Sequence, residues 1–360
     1  GLDSRDGALA TQLCFGVVQN RLLLDFYLSH FSNLHLKRME GRVVEALRLG
    51  AYQMLFLDKI PHSAAVNASV ELTRKHCKNP RAAGMVNGIL RNLERSLDSL
   101  PAIPRENPVS YLSVLYSHPE WLVEEFLTAL GSEETARLLA ANNSQAPITA
   151  MVNTTKTTVE GLAEALEGKG VTARLHPWLA DCLVLSKTGN LERLAAFQEG
   201  LFYVQDPASK LSALALGPEP GMRVLDCCAA PGGKSFAAAI QMEGGGEVVS
   251  CDLHPHKKKL IQAGADRLGL KNITPLTADG KAVRPEWENA FDRVLVDAPC
   301  SGLGVIRKKP DIRYKDPEPL KDLLQVQRAI LDNAARYVKP GGVLVYSTCT
   351  LLRRENEEVA

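Results

Sequence analysis

Two cysteines in the last third of the chain follow apolar runs typical of buried parallel strands. Cys300 comes directly after residues 293–299, RVLVDAP, and Cys349 comes after residues 342–348, GVLVYST. Ligands of open α/β sheets bind in the crevice beyond the carboxyl ends of the strands. The two thiols are therefore predicted to face one crevice, where a thiol that loses its proton can act as a nucleophile. A lone cysteine after a strand is more often a small buried residue, so the prediction depends on the pair.

The two cysteines lie in a region where predicted strands and helices alternate. Helical patterns, for example at 257–268 and 320–338, separate short apolar segments. The segments predicted to be strands are residues 224–226, 248–251, 273–276, 294–296 and 343–346. Such alternation predicts a parallel sheet with helices on both faces.

A glycine-containing turn follows the first of these strands. Its sequence is Cys228-Ala229-Ala230-Pro231-Gly232-Gly233-Lys234. Glycine has no side chain, so the backbone of such a turn can approach a small ligand closely. A nucleotide-hydrolase phosphate loop is the rival interpretation, but its first glycine would have to be residue 228, which is a cysteine. The Gly-x-Gly-x-x-Gly pattern of dinucleotide sites is absent as well.

Aspartates stand at or just after three of the predicted strand ends. Asp252 closes the second strand, Asp279 follows the third, and Asp297 ends the fourth. A carboxylate at the end of the second strand can hydrogen-bond both hydroxyls of a ribose. Any one of these residues could instead cap a helix. Their occurrence at successive strand ends favours a ligand site.

Taken in order, the glycine turn, the aspartates and the two cysteine motifs resemble those of the RNA cytosine-5-methyltransferases of the NSUN family. The resemblance implies that Cys349 attacks carbon 6 of cytosine and that Cys300 assists proton removal from carbon 5 and release of the product. It also implies that Asp297 contacts the base, and Lys234 could hold the base or lower the pKa of a thiol. DNA methyltransferases with one cysteine use the Pro-Cys position, so Thr348 and Cys349 favour the RNA type. The target base must leave its stack to reach such a crevice.

The same resemblance implies S-adenosylmethionine as the cofactor. It places Asp252 on the ribose, Asp279 on the adenine side, and Asp297 near both cofactor and base. The implied cofactor-binding residues are Cys228, Ala229, Ala230, Pro231, Gly232, Gly233, Lys234, Asp252, Asp279 and Asp297. One departure is Thr350, where the family motif ends in serine, and it keeps the hydroxyl group.

Three domains are predicted along the chain. Residues 1–104 show helical apolar spacing and resemble the NusB-like RNA-binding domain without its first helix, although a helical bundle with no RNA role is the alternative. Residues 105–205 contain a proline-marked linker and a small α+β domain that resembles the RRM-like domain of this family. That domain lacks the aromatic-rich signature of an RNA-recognition sheet. It is therefore expected to have a packing and positioning role. Residues 206–360 form the α/β Rossmann-like methyltransferase domain, and we expect its last strands to be missing.

RNA contacts are predicted from charge and from one basic segment. Residues 1–105 carry 14 Lys and Arg against 9 Asp and Glu, although the whole chain has a net charge of +1. A basic first domain can supply phosphate contacts. The segment 306–313 matches a family segment that lines the RNA groove, with a solvated charged loop as the alternative. The implied RNA-contacting residues are Arg307, Lys308, Lys309 and Arg313.

The domain order resembles that of the bacterial family members that methylate 16S rRNA. The implied substrate is 16S rRNA, either free or in a partly assembled ribosomal particle. The same chemistry on tRNA or large-subunit rRNA is one alternative. A non-catalytic RNA-binding or antitermination module is another, against which the intact thiols argue.

Composition fits this class of enzyme. The chain is 45% hydrophobic and 23% charged, as expected of a globular protein. Its eight cysteines show no metal-ligand spacing, and no apolar run reaches the roughly 18 residues of a membrane span. We expect a cytoplasmic monomer with reduced thiols and neither a metal ion nor a membrane partner.

Overall fold

The computed structural model describes residues 3–318 and 320–360. The chain forms two compact units. The first comprises Gly1–Gln145 and Val305–Lys315, and the second comprises Ala146–Gly304 and Asp316–Ala360. The short segment Val305–Lys315 thus belongs to the first unit, although its sequence neighbours on both sides belong to the second. This division differs from the three domain ranges given above, which stay predictions.

The first unit is helical, as predicted. Its helices are α1 (Ser4–Gln19), α2 (Arg21–His30), α3 (Gly41–Phe56), α4 (His62–His76), α5 (Ala82–Arg95), α6 (Pro108–Tyr116) and α7 (Glu120–Asn142). Their core contains fully buried apolar side chains such as Leu24, Leu47 and Val66. Pro108 is one of the prolines of the linker predicted within residues 105–205, but the structure makes it the first residue of α6, where a missing N–H costs nothing. The side chain of Asn107 caps that helix by accepting hydrogen bonds from two of its first N–H groups.

The second unit begins with a small antiparallel sheet. Its elements are β1 (Ile148–Val152), α8 (Val159–Glu167), β2 (Thr172–Leu175), β3 (Cys182–Ser186), α9 (Ala195–Gln198) and β4 (Phe202–Val204). The strand order is β2-β3-β1-β4, and α8 buries Leu162 and Leu166 in a core shared with Ala150 and Val152 of β1. This strand order is that of ferredoxin-like and RRM-like domains, so the prediction of such a domain is confirmed.

A parallel sheet forms the rest of the second unit. Its elements are α10 (Pro207–Leu216), β5 (Arg223–Asp226), α11 (Gly233–Gln241), β6 (Glu247–Asp252), α12 (Pro255–Leu268), β7 (Ile273–Thr277), β8 (Phe291–Asp297), α13 (Leu320–Tyr337) and β9 (Val338–Ser347). The order is β7-β6-β5-β8-β9 with every neighbouring pair parallel. The chain builds outward from β5 to β7 and then crosses to β8 and β9. The direction of winding therefore reverses between β5 and β8, which is the position where ligands bind in such sheets.

The parallel sheet is covered on both faces. Leu225 and Val294 contribute to one core cluster and Val224 and Leu295 to another, and all four are almost fully buried. Strands buried on both faces are apolar throughout, which is why the sequence showed them as runs and not as alternating patterns. Among residues 3–318 and 320–360, no helix has the length and apolar character needed to cross a membrane.

Candidate active site

The two predicted thiols lie side by side at one edge of the parallel sheet. β8 and β9 are neighbours, with Asp297 opposite Ser347 in register. Cys300 follows three residues beyond Asp297, and Cys349 two residues beyond Ser347. The Sγ atoms of the two cysteines are 3.2 Å apart, and the Cys349 amide N–H donates to the Cys300 sulfur at 3.3 Å. Strand register thus positions the pair.

The environment makes these two thiols chemically different. The hydrogen bond from Cys300, with a smaller contribution from the charge of Lys234, lowers the pKa of Cys349 to about 7. The same hydrogen bond, together with burial and the charge of Cys349, raises the pKa of Cys300. Cys349 is also the more exposed of the two. With a pKa of about 7, Cys349 is a thiolate in about half of the molecules at neutral pH, whereas Cys300 keeps its proton. The pair can therefore present one nucleophilic sulfur.

Asp297 lies between the glycine turn and the cysteine pair. Its Oδ2 atom is 2.6 Å from the Nζ of Lys234, in the first turn of α11. Its Oδ1 atom accepts a hydrogen bond of 2.9 Å from the Ser347 hydroxyl. The negative charge of Asp297 raises the pKa of Cys349, and the Lys234 ammonium opposes that effect. The predicted residues Lys234, Asp297 and Cys349 are thus brought together.

The glycine turn connects β5 to α11. Gly232 has a φ of 114°, and a Cβ built on it would lie 2.4 Å from the ring of Phe236, so only glycine fits. The Ala229 N–H donates to the Cys251 carbonyl at 2.7 Å, which ties the turn to β6. Burial raises the pKa of Cys228 and holds this thiol protonated. Its chemistry is therefore unlike that of Cys349.

The two aspartates beyond β6 and β7 have local partners. Asp252 is buried, and its Oδ1 accepts from the His254 N–H at 3.1 Å. Asp279 is half-buried, and its Oδ1 accepts from the Lys281 N–H at 2.9 Å. The Ala278 N–H donates to the Asp252 carbonyl, which links the two strand ends. Each carboxylate thus uses one oxygen in a local turn and caps no helix, since the N-cap of α12 is His254 and the next helical turn after Asp279 begins at Pro285. A cofactor role would fall to the other oxygen.

Sequence reasoning missed a buried acid beneath the glycine turn. Asp226, the last residue of β5, accepts a hydrogen bond of 2.7 Å from Ser235, and Ser250 donates to Ser235 at 2.8 Å. Burial raises the pKa of Asp226 to about 7. Its Oδ1 atom is buried and has no hydrogen-bond partner within the described residues. The signal was present, because Asp226 ends its strand as Asp252 and Asp297 end theirs.

Arg307, Lys308 and Lys309 belong to the segment of the first unit that was predicted to contact RNA. Lys308 and Lys309 are exposed. Arg307 is half-buried, and its Nη2 donates to the Gln145 carbonyl at 2.7 Å. Both lysine side chains are therefore accessible from solvent, and Arg307 uses one of its donors within the first unit.

The prediction that Arg313 contacts RNA is wrong, because its side chain is fully buried. Its Nη1 donates to the carbonyls of Gln19 and Ser117, at 3.2 and 3.0 Å. It also donates to Asn143 Oδ1 at 2.8 Å. These acceptors lie at the C-terminal ends of α1, α6 and α7, where backbone carbonyls lack helical partners and favour a cation. Burial lowers the pKa of Arg313 to about 10.

The strand order, the turn after β5 and the strand-end residues define a Rossmann-like methyltransferase domain, preceded by a ferredoxin-like and a helical domain. The chain belongs to the RsmB/F family of RNA methyltransferases. Residues 213–360 match the family described as 16S rRNA methyltransferase RsmB/F, and residues 1–95 match the NusB family. Residues 118–192 match the ferredoxin-like domain of RsmF/B-like methyltransferases. The predicted family and its NusB-like domain are confirmed.

Relatives of this chain span nearly its whole length. It is 42% identical over 99% of its residues to the probable ribosomal RNA small subunit methyltransferase B of Bacillus subtilis, covering 80% of that protein. It is 34% identical over 98% of its residues to the ribosomal RNA small subunit methyltransferase B of Vibrio cholerae, again covering 80%. The crystal structure of PH0851 is similar with a TM-score of 0.82, at 28% identity over 98% of this chain and 79% of that one.

A metal centre was not expected from the cysteine spacing. In the part of the chain that the structure describes, no cluster of three or more His, Cys, Asp or Glu side chains is arranged to hold a metal ion.

Proposed function

We propose that this protein transfers a methyl group from S-adenosylmethionine to carbon 5 of a cytosine in small-subunit rRNA. Family membership and the names of the relatives support a small-subunit rRNA methyltransferase. The cytosine chemistry is supported by one observation above all, the pair of thiols 3.2 Å apart with opposite pKa shifts. An addition to carbon 6 followed by an elimination needs both a nucleophile and a proton carrier, and this pair supplies them.

Carbon 5 of cytosine is a poor nucleophile until carbon 6 carries an electron-rich substituent. In the proposed reaction, the Cys349 thiolate forms a bond to carbon 6, and the displaced π electrons move toward ring nitrogen 3, where Asp297 can exchange a proton. Carbon 5 of the resulting enamine can then take a methyl group. Covalent catalysis in this way divides one difficult step into easier ones.

The release step depends on the two effects of Cys349 that keep Cys300 protonated before the reaction. The hydrogen bond with Cys349 and the charge of that thiolate raise the pKa of Cys300. Both causes disappear once the Cys349 sulfur is bonded to carbon 6. Cys300 can then give its proton to water, and the resulting thiolate takes the proton on carbon 5 while the sulfur–carbon 6 bond breaks and Cys349 leaves as the thiolate. Aromaticity of the base is restored.

The residues around the glycine turn fit S-adenosylmethionine, which supplies an electrophilic methyl group when bound. The buried, unpartnered Oδ1 of Asp226 offers an acceptor beneath the turn. The carboxylates of Asp252 and Asp279 suit a ribose and the polar edge of an adenine. We assign the turn of residues 228–234, with its backbone N–H groups at the start of α11, to the methionine end of the cofactor.

The test is methylation of defined RNAs by the full-length protein. 16S rRNA from cells that lack this enzyme, 23S rRNA and tRNA are each incubated with S-adenosylmethionine and subjected to bisulfite sequencing. A single protected cytosine in 16S rRNA, absent with Cys349→Ala, is the expected result. Protection only in 23S rRNA or tRNA would overturn the substrate assignment. Methyl incorporation without any protected cytosine would overturn the chemistry, and no incorporation at all would favour a non-catalytic RNA-binding module.

A further inference from the structure

A buried carboxylate holds the backbone on one side of Cys300. Glu355 is 1% exposed, and its Oε2 accepts hydrogen bonds from the Ser301 N–H at 2.8 Å and from the Gln327 side chain at 3.0 Å. The same Gln327 amide donates to the Pro299 carbonyl at 3.0 Å. The peptide groups before and after Cys300 are therefore fixed by one carboxylate and one amide that are bonded to each other.

Asn356, the residue after Glu355, holds the chain around Cys349 in the same manner. Thr348 donates to Asn356 Oδ1 at 2.5 Å, and Asn356 Nδ2 donates to the Thr350 carbonyl at 3.2 Å. Thr350 in turn accepts a hydrogen bond of 2.7 Å from the Ser301 hydroxyl. Two consecutive side chains thus bracket the two thiols, one each, and a third hydrogen bond joins the brackets.

The burial of Glu355 is costly and calls for a physical reason. Burying a carboxylate without a cation is strongly unfavourable unless hydrogen bonds satisfy it. Within the described residues its Oε1 atom is buried and has no hydrogen-bond partner. The Tyr346 hydroxyl donates to the Glu355 carbonyl at 2.9 Å and ties this turn to the end of β9. An apolar residue would fill the same space, but it could not accept the Ser301 N–H.

We propose that Glu355 and Asn356 are positioning residues for the two thiols and act on different steps of the reaction. Glu355 fixes the position of the Cys300 thiol and therefore governs release of the methylated base. Asn356 fixes the position of the Cys349 thiol and therefore governs attack on carbon 6. The division between steps rests on the proposed function. The placement of the thiols does not, because it follows from the hydrogen bonds alone.

Single-turnover kinetics on 16S rRNA separates the two steps. Formation and breakdown of the protein–RNA adduct are followed by denaturing electrophoresis for Glu355→Ala and Asn356→Ala. Glu355→Ala is expected to slow breakdown about tenfold or more with little effect on formation, since a hydrogen bond to a charged group is lost. Asn356→Ala is expected to slow formation instead. Equal slowing of both steps in both variants would overturn the division of roles.

Conservative and control variants separate positioning from folding. In Glu355→Gln the amide oxygen can still accept both hydrogen bonds, so most of the release rate should return. Glu357 lies two residues on and is exposed, so Glu357→Ala should match the unmodified protein in every measurement. A release defect as large in Glu357→Ala as in Glu355→Ala would contradict the proposal. If Glu355→Ala fails to fold, Glu355→Met, which fills the same space but cannot accept the Ser301 N–H, takes its place in the comparison.

Thiol spacing can be measured without any RNA chemistry. Phenylarsine oxide binds two nearby thiols, forming two arsenic–sulfur bonds with loss of water. It should bind the unmodified protein at the Cys300–Cys349 pair, and Cys300→Ala corrects for the other cysteines. Affinity about tenfold weaker in Glu355→Ala, with unchanged melting temperature, is the expected result. Unchanged affinity would overturn the positioning role. Absence of any RNA adduct, with this loss of affinity, would instead overturn only the covalent mechanism.

Discussion

The Lys234 ammonium lies 2.6 Å from the Asp297 carboxylate, and this ion pair joins the glycine turn to the strand that leads to the cysteine pair. Lys234 is the last residue of the turn and the second residue of α11, and Asp297 ends β8 three residues before Cys300. The pair also adjusts the nucleophile, because Asp297 raises and Lys234 lowers the pKa of Cys349. One contact therefore couples where the methyl donor would lie to how readily Cys349 ionises.

Lys234→Met is expected to raise the pKa of Cys349 above about 7, because the charge of Asp297 is then uncompensated. A rise of about one unit would lower the thiolate fraction at pH 7 about fivefold. The rate of Cys349 alkylation by iodoacetamide, followed by mass spectrometry from pH 5 to 10, measures this shift. Rates of the variant and the unmodified protein should converge at high pH. The exposed Lys258 provides the control Lys258→Met, and an unchanged pH profile in Lys234→Met would contradict the electrostatic role.

Replacing each thiol singly should separate attack from release. Cys300→Ala with substrate RNA and S-adenosylmethionine should accumulate a protein–RNA adduct that survives denaturing electrophoresis, because attack proceeds and release does not. Cys349→Ala should form none, and the double variant should behave like Cys349→Ala. The reverse pattern would make Cys300 the nucleophile, against the lowered pKa of Cys349.

Asp252→Ala should weaken S-adenosylmethionine binding by about 1–3 kcal/mol, the range for losing a charged hydrogen-bond acceptor. Isothermal titration calorimetry measures the change directly. Glu288→Ala removes an exposed acid from the same unit and should leave the dissociation constant unaltered. Since Asp252 also accepts from the His254 N–H, Asp252→Asn separates the two roles. Asp252→Asn keeps the oxygen that accepts from the His254 N–H, so a loss of affinity in this variant must reflect a lost contact with the cofactor.

The strand ends of the catalytic domain could be predicted from the sequence because the cause is local. A parallel strand buried on both faces must be an apolar run, and the residues just past Asp297 and Ser347 then fall at one edge of the sheet. The 3.2 Å spacing of the thiols depended on register as well. Register is set by pairing between distant segments, so the sequence predicted the neighbourhood of the pair and not its geometry.

The burial of Arg313 and Glu355 could not be predicted from the sequence, because its cause is not local. Both lie in charged stretches, residues 306–313 and 353–358, and charged stretches are usually solvated. Arg313 is buried because three helix ends supply carbonyl and amide acceptors around it. Glu355 is buried because it accepts the Ser301 N–H across 54 positions of sequence. In each case the partner that permits burial is remote in the chain.

Lys309→Ala should weaken RNA binding to a similar extent for all sequences, because an exposed lysine in this segment would contact phosphate and not a base. The slope of log K against log salt should fall by about 1. Fluorescence anisotropy with a 16S rRNA fragment at several salt concentrations measures both. Lys271→Ala, which removes an exposed lysine of the second unit, is the control. An unchanged slope for Lys309→Ala would favour a solvated loop with no RNA contact.

His118 makes the stability of the first unit depend on pH. Burial, followed by the charge of Arg313, lowers the pKa of His118 to about 3, and its ring contacts the Tyr116 carbonyl through Nδ1 at 2.7 Å. The folded unit therefore binds fewer protons than the unfolded chain, in which histidine has a pKa near 6.5. By linkage, this contribution to stability is fully present above pH 6.5 and is lost as pH falls toward 3, by at most about 1.4 kcal/mol per pH unit.

Tryptophan fluorescence can follow that loss in the first unit alone. The chain has three tryptophans, and with Trp178→Phe and Trp287→Phe only Trp121, in α7, remains as a reporter. The melting temperature of the first unit, as reported by Trp121, should fall steadily between pH 6.5 and 4.5 because the unfolded state gains a proton in this range. His118→Gln cannot take up that proton and should show a flatter dependence, even if it is less stable at pH 8. His62→Gln removes an exposed histidine of the same unit and should keep the original slope. Parallel slopes for His118→Gln and the unmodified protein would show that other groups govern the acid sensitivity.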